Sequence, residues 1–536
     1  MTKQQRYTVK ISLIVALGGF LMGFDASVIS GVVKFIEPEF NLSKLELGWA
    51  VSSLTLTSTL AMMLAGPVST KIGRRPVLKI AAILYAISAI GSALAPDFVT
   101  LIIARMIGGF GVGASLITAP MYIAEISPPR LRGRMVSFNQ LNIVIGISVA
   151  FFTNYLILQW SQSESTWVST LGINIYEWRW MLGLETLPAI LYFAFLFAVP
   201  RSPRWLIMKS REAEALSILT RVSSGEQAKK DIQAVQASLS KEVNKKQVPF
   251  KELFKPALRL VLTIGIVVAV LQQITGINSV FFYAPMIFEQ SGIGTDASFS
   301  QAILVGLTNL VFTIVAIMFI DRFGRRILLI FGLSGIAVSM FLLSWGFSTA
   351  TYQLTQESVA QLPAHVDRSK TTAMVGNIYY SDIEFKRAIE QSYGENEAKK
   401  VESDLITAGI NMNALLILIG IIGFVASFAV SIGPVMWVLF SEIFPNWIRG
   451  LAISFTGFIN SGVSFLVQLV FPWELATIGS SMTFLIYGFF AAAGLVFIII
   501  ILPETKNKSL EELEGILVKH SDSDQKHNST NSHKLT

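Results

Sequence analysis

Twelve apolar runs, each long enough to cross the ~30 Å hydrocarbon layer of a bilayer, lie near 9–31, 47–68, 76–95, 99–122, 135–158, 179–199, 257–287, 298–320, 327–348, 411–439, 450–470 and 479–502. No feature constrains the fold more. With 52% of its 536 residues apolar and only 14% charged, the chain carries more hydrophobic surface than soluble domains can bury. The pattern predicts an all-α membrane protein of twelve transmembrane helices in a single bundle.

Charge placement sets the orientation. The first run follows Lys3, Arg6 and Lys10 and reads as an uncleaved helix starting inside. The short inner loops then hold Lys71, Arg74, Arg75, Arg130, Arg132, Arg322, Arg325, Arg326 and Arg449, whereas the short outer loops hold little beyond Lys34 and Lys44. Both termini are therefore expected in the cytoplasm, with the protein in a plasma membrane, bacterial by expectation. The net charge of +7 is explained by this topology and gives no reason to expect a nucleic-acid partner. There is no cysteine, and His365, His520, His527 and His533 all lie outside the apolar runs, so neither thiol chemistry nor an intramembrane histidine relay is available.

The expected organisation is an N-terminal half (1–199), a cytoplasmic helical linker (200–256), and a C-terminal half (257–502) carrying an outer insertion at 349–410. A cytoplasmic tail follows (503–536), disordered at its end. The insertion reads as a long polar loop with one helix-like charged stretch from Glu384 to Lys400.

Internal repetition relates the two halves. Lys71-Ile-Gly73-Arg74-Arg75 after the second run returns as Arg322-Phe-Gly324-Arg325-Arg326 after the eighth. Glu125-Ile-Ser-Pro128 followed by Arg132-Gly133 returns as Glu442-Ile-Phe-Pro445 followed by Arg449-Gly450. Positive loops alone do not require matched Glu, Pro and Gly at fixed offsets. Two six-helix units with the same direction in the membrane, holding a substrate between them, account for the pattern. The Gly-Arg-Arg turns are expected to bring guanidiniums onto Glu125 and Glu442 as a conformational latch.

These motifs, with Arg105, Gly109, Gly111 and Gly113, Pro120 to Glu125, Pro200 to Leu206, Gln272 to Asn278, Asp321 to Arg326 and Pro503 to Lys506, resemble the sugar porters of the major facilitator superfamily. That group includes bacterial sugar–proton symporters and facilitative glucose transporters. Two departures stand out: Thr70-Lys71 replaces the family's Asp-Arg, and Arg201 replaces the Glu of its Pro-Glu-Ser-Pro-Arg. The resemblance implies two pseudo-symmetric six-helix halves, a monosaccharide substrate, and function as a monomer in the lipid bilayer.

A sugar needs amides for its hydroxyls and an aromatic plate for its C–H face. Gln272 and Gln273 stand ~23 Å along the seventh run, where Gly276 and Asn278 are expected to interrupt the helix. Gln140, Asn309 and Asn460 add three intramembrane amides, and Trp437 follows Gly433-Pro434 at an expected break in the tenth run. By resemblance, all seven match the family's sugar-contacting positions. Met22 and Ser461, where relatives carry Phe and Trp, imply a wider or less aromatic pocket. Gly109-Phe-Gly-Val-Gly113 lies inside an apolar run and reads as close helix packing, not a nucleotide loop.

Asp25, Arg105 and Glu185 are ionisable groups inside apolar runs, at similar expected depth. An arginine between two carboxylates can exchange a proton as the site alternates between wet and dry. By resemblance, symporters carry Asp at the position of Asp25 and uncoupled relatives carry Asn. The expected function is monosaccharide import by proton symport, with the proton as the only coupling species and no cofactor or metal. The alternatives are a passive sugar or polyol (inositol) uniporter and a transporter-like nutrient sensor. Neither a nucleophile–base pair nor a phosphate loop is visible, so an enzyme is not expected.

Overall fold

The computed structural model describes residues 2–128, 131–243, 249–506, 508 and 510–517. Arg130, the Asp321 side chain and the tail from 518 onwards lie outside the described residues, and with them the expected disordered end. Among the described residues, eleven helical stretches are long and apolar enough to span a membrane. They include the first span (Lys3–Glu39), second (Lys44–Ile72), third (Arg74–Ala93), fourth (Phe98–Ile126) and fifth (Arg132–Ser161). In the second half come the eighth (Thr295–Phe323), ninth (Arg325–Ser348), eleventh (Arg449–Thr477) and twelfth (Ser480–Ile501).

Side-chain caps help start several of them. Ser43 and Glu46 form a reciprocal capping box at the second span, and Asp97 accepts from the Thr100 amide at the fourth. The spans then pack by letting backbones approach. A Cβ on Gly109 would fall 2.4 Å from the Leu54 carbonyl oxygen, and one on Gly113 would fall 2.2 Å from that of Ser58. The glycine-rich segment is thus a helix-packing face between the second and fourth spans.

Three spans are broken. The seventh runs as Arg259–Ile274, Ile277–Phe282 and Ala284–Glu289, with Gly276 at φ +93 at the first break. A Cβ there would fall 2.5 Å from the Tyr487 ring, so both conformation and space call for glycine. The tenth divides at Ser431 into Ala414–Val430 and Ile432–Ile443. The sixth, read from sequence as one run over 179–199, forms two short helices instead, Glu177–Gly183 and Thr186–Phe195. Pro188 has no N–H for the Leu184 carbonyl, which accepts from the Leu187 amide at 3.2 Å in a tighter turn. Glu185 sits at that break.

The insertion is a folded unit, not a polar loop. Strands β1 (Thr351–Gln353), β2 (Ile378–Tyr379) and β3 (Ile410–Asn411) form an antiparallel sheet in the order β2-β1-β3. Tyr352 pairs with Tyr379 on one side and Ile410 on the other. Helices Asp382–Tyr393 and Glu395–Gly409 cover the sheet. Its core includes Tyr352, Leu354, Phe385, Ile389, Leu405 and Ile406, with Tyr352 and Phe385 stacked at 5.3 Å. The alternation of buried and exposed residues in such short strands is too brief to read from sequence.

Candidate functional site

The breaks in the seventh and tenth spans meet the eleventh span, and four amides converge there. Gln272 donates through Nε2 to the carbonyls of Ile432 (3.3 Å) and Gly433 (3.1 Å), just past the tenth-span break. Gln273 donates to Gln272 Oε1 and to Asn460 Oδ1, both at 3.2 Å. Asn460 donates to the Ala269 carbonyl at 2.9 Å and to Gln272 Oε1 at 2.7 Å. Asn278 donates to Gln273 Oε1 at 2.7 Å and to Ser464 Oγ at 2.6 Å.

Each NH2 group thus has both hydrogens engaged within the protein, while among the described residues Asn278 Oδ1 has no donor. A polyhydroxylated ligand meets acceptors first. To receive donors it must displace amide–amide bonds, exchanging one hydrogen bond for another at little net cost. Asn309 is buried on the eighth span, Gln140 is exposed on the fifth, and Trp437 is 49% exposed with its ring 3.7 Å from the position a Gly457 Cβ would take. Among the described residues these three make no hydrogen bond to the amide cluster.

Two further polar residues, Ser464 and Gln468, belong to this site and are missed by residue type alone. They follow Asn460 at i+4 and i+8 and so share one face of the eleventh span, which is the signal that would have found them. Gln468 Nε2 donates to Ser464 Oγ at 2.8 Å, and Thr55 of the second span donates to Gln468 Oε1 at 2.8 Å. The amide cluster therefore continues into the opposite half of the molecule.

The three charged residues of the second cluster all belong to the N-terminal half, with Tyr283 of the seventh span also within electrostatic reach of Arg105. Arg105 Nη1 lies 3.5 Å from Asp25 Oδ1, and Arg105 Nε donates to the Ala50 carbonyl at 2.9 Å. Glu185, placed by the break in the sixth span, acts electrostatically on both. Asp25, Arg105 and Glu185 are each at most 2% exposed. Asp25 Oδ2 and Glu185 Oε1 are buried with no hydrogen-bond partner among the described residues. Two carboxylates against one guanidinium leave one formal negative charge, which a single proton cancels. A buried, incompletely paired charge is costly.

The two basic turns are near copies. Gly73 has φ +99 and ψ 157, and Gly324 has φ +94 and ψ 155. Arg74 Nη2 lies 2.8 Å from Glu125 Oε1, and Arg325 Nη2 lies 2.8 Å from Glu442 Oε1. Each glutamate also accepts a hydroxyl from the segment after its half's last span, Ser202 onto Glu125 and Thr505 onto Glu442. Arg75 donates to the carbonyls of Leu196 and Phe197, and Arg326 to that of Ile499. Arg449 donates to the Phe444 carbonyl, whereas the matching Arg132 is exposed. Arg322 lends its carbonyl to Lys506 Nζ at 2.6 Å.

Alignment of these features with known proteins decides the family. The sequence matches the family described as "Sugar (and other) transporter" over residues 11–366 and 401–517. The chain belongs to the sugar porter family of the major facilitator superfamily. It is a multi-pass transporter, not an enzyme. This porter is 34% identical to the arabinose-proton symporter of Bacillus subtilis, over 96% of each chain. It is also 34% identical to the D-xylose-proton symporter of Escherichia coli K12, over 95% of this chain and 96% of that protein. Its fold matches the inward-open structure of the E. coli xylose transporter XylE with a TM-score of 0.73 and 32% identity, covering 95% of this chain and all of that one (100%).

Contacts between the porter's halves are one-sided. Lys34 meets Glu289 at 2.7 Å and also Thr295, and Gln162 meets Asp296 at 2.7 Å, all on the face opposite the Gly-Arg-Arg turns. At mid-depth, Ser148 donates to the Gly306 carbonyl at 2.9 Å; nearer the far face, at the start of the second span, Gly48 lets the Leu469 carbonyl approach within 1.9 Å of where a Cβ would stand. Among the described residues, no hydrogen bond or ion pair joins the basic turns of one half to those of the other. Among the described residues, the polar contacts between the halves lie at mid-depth and on the far face.

Proposed function

We propose that this porter carries a monosaccharide together with a proton across a bacterial cell membrane. The observation that carries this reading is the pairing of two sites: an amide cluster at the broken seventh and tenth spans of one half, and a buried Asp25–Arg105–Glu185 cluster in the other. Gln272, Gln273, Asn278 and Asn460 bind the sugar hydroxyls, and Gln140, Asn309 and Trp437 complete the site when the halves close around it. Asp25 takes up the proton, loosens its hold on Arg105 and allows the halves to rock. The turn pairs Arg74–Glu125 and Arg325–Glu442 keep each half's inner ends together during that motion.

The names of the relatives favour a pentose with a proton, and the matched repeats favour alternating access. The decisive experiment is uptake by proteoliposomes under an imposed pH difference, with a panel of pentoses, hexoses and inositols as competitors. Accumulation above equilibrium that a protonophore collapses is expected. Flux that only equilibrates would make the protein a uniporter, and vesicles that admit none of the panel would remove the reading.

A further inference from the structure

We propose that the 349–410 unit is a strap that rides on the C-terminal half and closes the mouth opposite the basic turns, releasing the N-terminal half in each transport cycle. This rests on the alternating-access reading above. Three observations carry it.

First, the unit has its own core and so moves as one body. Second, its attachment to the C-terminal half is firm. Its ends continue directly into the ninth and tenth spans, and Asp382 Oδ2 accepts from the Ser480 amide and hydroxyl, both at 2.9 Å, at the start of the twelfth span. Gly479, at φ +83, leaves room for that carboxylate, since a Cβ would fall 2.8 Å from Asp382 Oδ1. A carboxylate at a helix N-terminus is favoured by both the free amides and the helix dipole.

Third, its grip on the N-terminal half is polar. Lys399 Nζ donates to Asn41 Oδ1 at 3.0 Å in the first outer turn. Lys44 is held at 2.5 Å by Glu37 of its own half, and it also feels Glu402 of the strap, which is shared with Lys386 at 3.5 Å. Beneath lies a cavity of about 110 Å³ whose lining includes Lys44, Lys386 and Glu402 beside Met286, Pro472 and Leu475. At ~30 Å³ per water it takes a few molecules. Glu402 is divided between lysines of the two halves and Lys399 reaches only an exposed amide, so this grip can re-pair, whereas the carboxylate at the helix start gains from both the free amides and the dipole. The seam that parts is the one to Asn41 and Lys44. Asp382 and Lys399, one residue from each face of the strap, both fall in 367–400, which the family pattern passes over.

The chain has no cysteine, so paired cysteines report cleanly. Asn41→Cys with Lys399→Cys is bridged in proteoliposomes by a short bis-methanethiosulfonate, and uptake of a sugar the parent transports is measured before and after reductant. Bridging is expected to lower uptake at least about tenfold, with recovery on reduction, because a closed mouth removes one of the two required states. The same bridge between Asp382→Cys and Ser480→Cys is expected to leave uptake within about twofold of its unbridged rate. Undiminished uptake with the first bridge, or equal loss with both, would overturn the strap. A parent chain that moves no sugar sinks the transport reading instead. If either pair fails to assemble, spin labels at Leu45→Cys and Lys400→Cys give the same decision: two distance populations are expected, and one unchanging distance overturns it.

Discussion

Arg105 holds its guanidinium 3.5 Å from the carboxylate of Asp25, with both side chains 2% exposed. The contact is long for an ion pair and leaves Asp25 Oδ2 without a partner. Asp25→Asn keeps the shape and removes the titrating charge. Accumulation against a gradient is expected to vanish, while exchange of labelled for unlabelled sugar continues at a measurable rate. Counterflow and pH-driven uptake in the same vesicles separate the two, and unimpaired accumulation would take Asp25 out of the coupling step.

Gln272 supplies two donors to the tenth-span break and accepts from Gln273 and Asn460. Gln272→Ala strips all four bonds. Sugar affinity is expected to fall at least ~10-fold, about 1.4 kcal/mol, with the protein still folded. Equilibrium binding by calorimetry alongside a thermal melt checks this. A variant that binds as the parent does would show the amide to be structural only.

Arg325 and Glu442 are 13% and 20% exposed, so their attraction is only partly screened by solvent. A double-mutant cycle with Arg325→Ala and Glu442→Ala, read by thermal unfolding in detergent, is expected to return a coupling of about 0.5–3 kcal/mol. The Arg74–Glu125 pair, at the same 2.8 Å, is expected to behave alike. Additive effects at either pair would mean that the carboxylate and the guanidinium act separately.

Gly109 and Gly66 make opposite predictions. A Cβ at Gly109 would meet the Leu54 backbone at 2.4 Å, whereas at Gly66 nothing lies within 4 Å. Gly109→Ala is expected to destabilise by about 1–3 kcal/mol through forced separation of the second and fourth spans. Gly66→Ala is expected to stabilise by roughly 0.5–1 kcal/mol through helix propensity. Melting temperatures moving in the same direction would contradict the packing account.

Much of this architecture is written in the chain. Long apolar runs report spans because a bilayer leaves the backbone no alternative to a helix. The repeated Gly-Arg-Arg and Glu-Ile-x-Pro segments foretell the Arg74–Glu125 and Arg325–Glu442 pairs because short loops leave the guanidiniums few carboxylates to reach. Other features are hidden for equally physical reasons. Pro188 sits in an apolar run whose hydropathy outweighs it, so the break that places Glu185 is invisible to a composition window. Ser464 and Gln468 are single polar residues in a membrane helix, and only their spacing from Asn460 ties them to the cluster. Thr55 belongs to the same chain of bonds through a partner 413 residues away, which no local pattern can foresee. The strands of the insertion are two or three residues long and acquire meaning only through each other.

The two basic turns also differ in one respect. Glu504 accepts from the amides of Arg325, Thr505 and Lys506 at 2.9–3.0 Å, clamping the start of the ninth span. The corresponding place in the other half is held by Arg201, which leans on the Trp205 ring while that indole donates to the Thr70 carbonyl. A duplicated machine has thus lost its mechanical evenness: one leaf of the hinge is bolted to its frame and the other merely rests against it. Wear of the motion, read as amide-proton turnover around Gly73 against Gly324, should fall on the resting leaf.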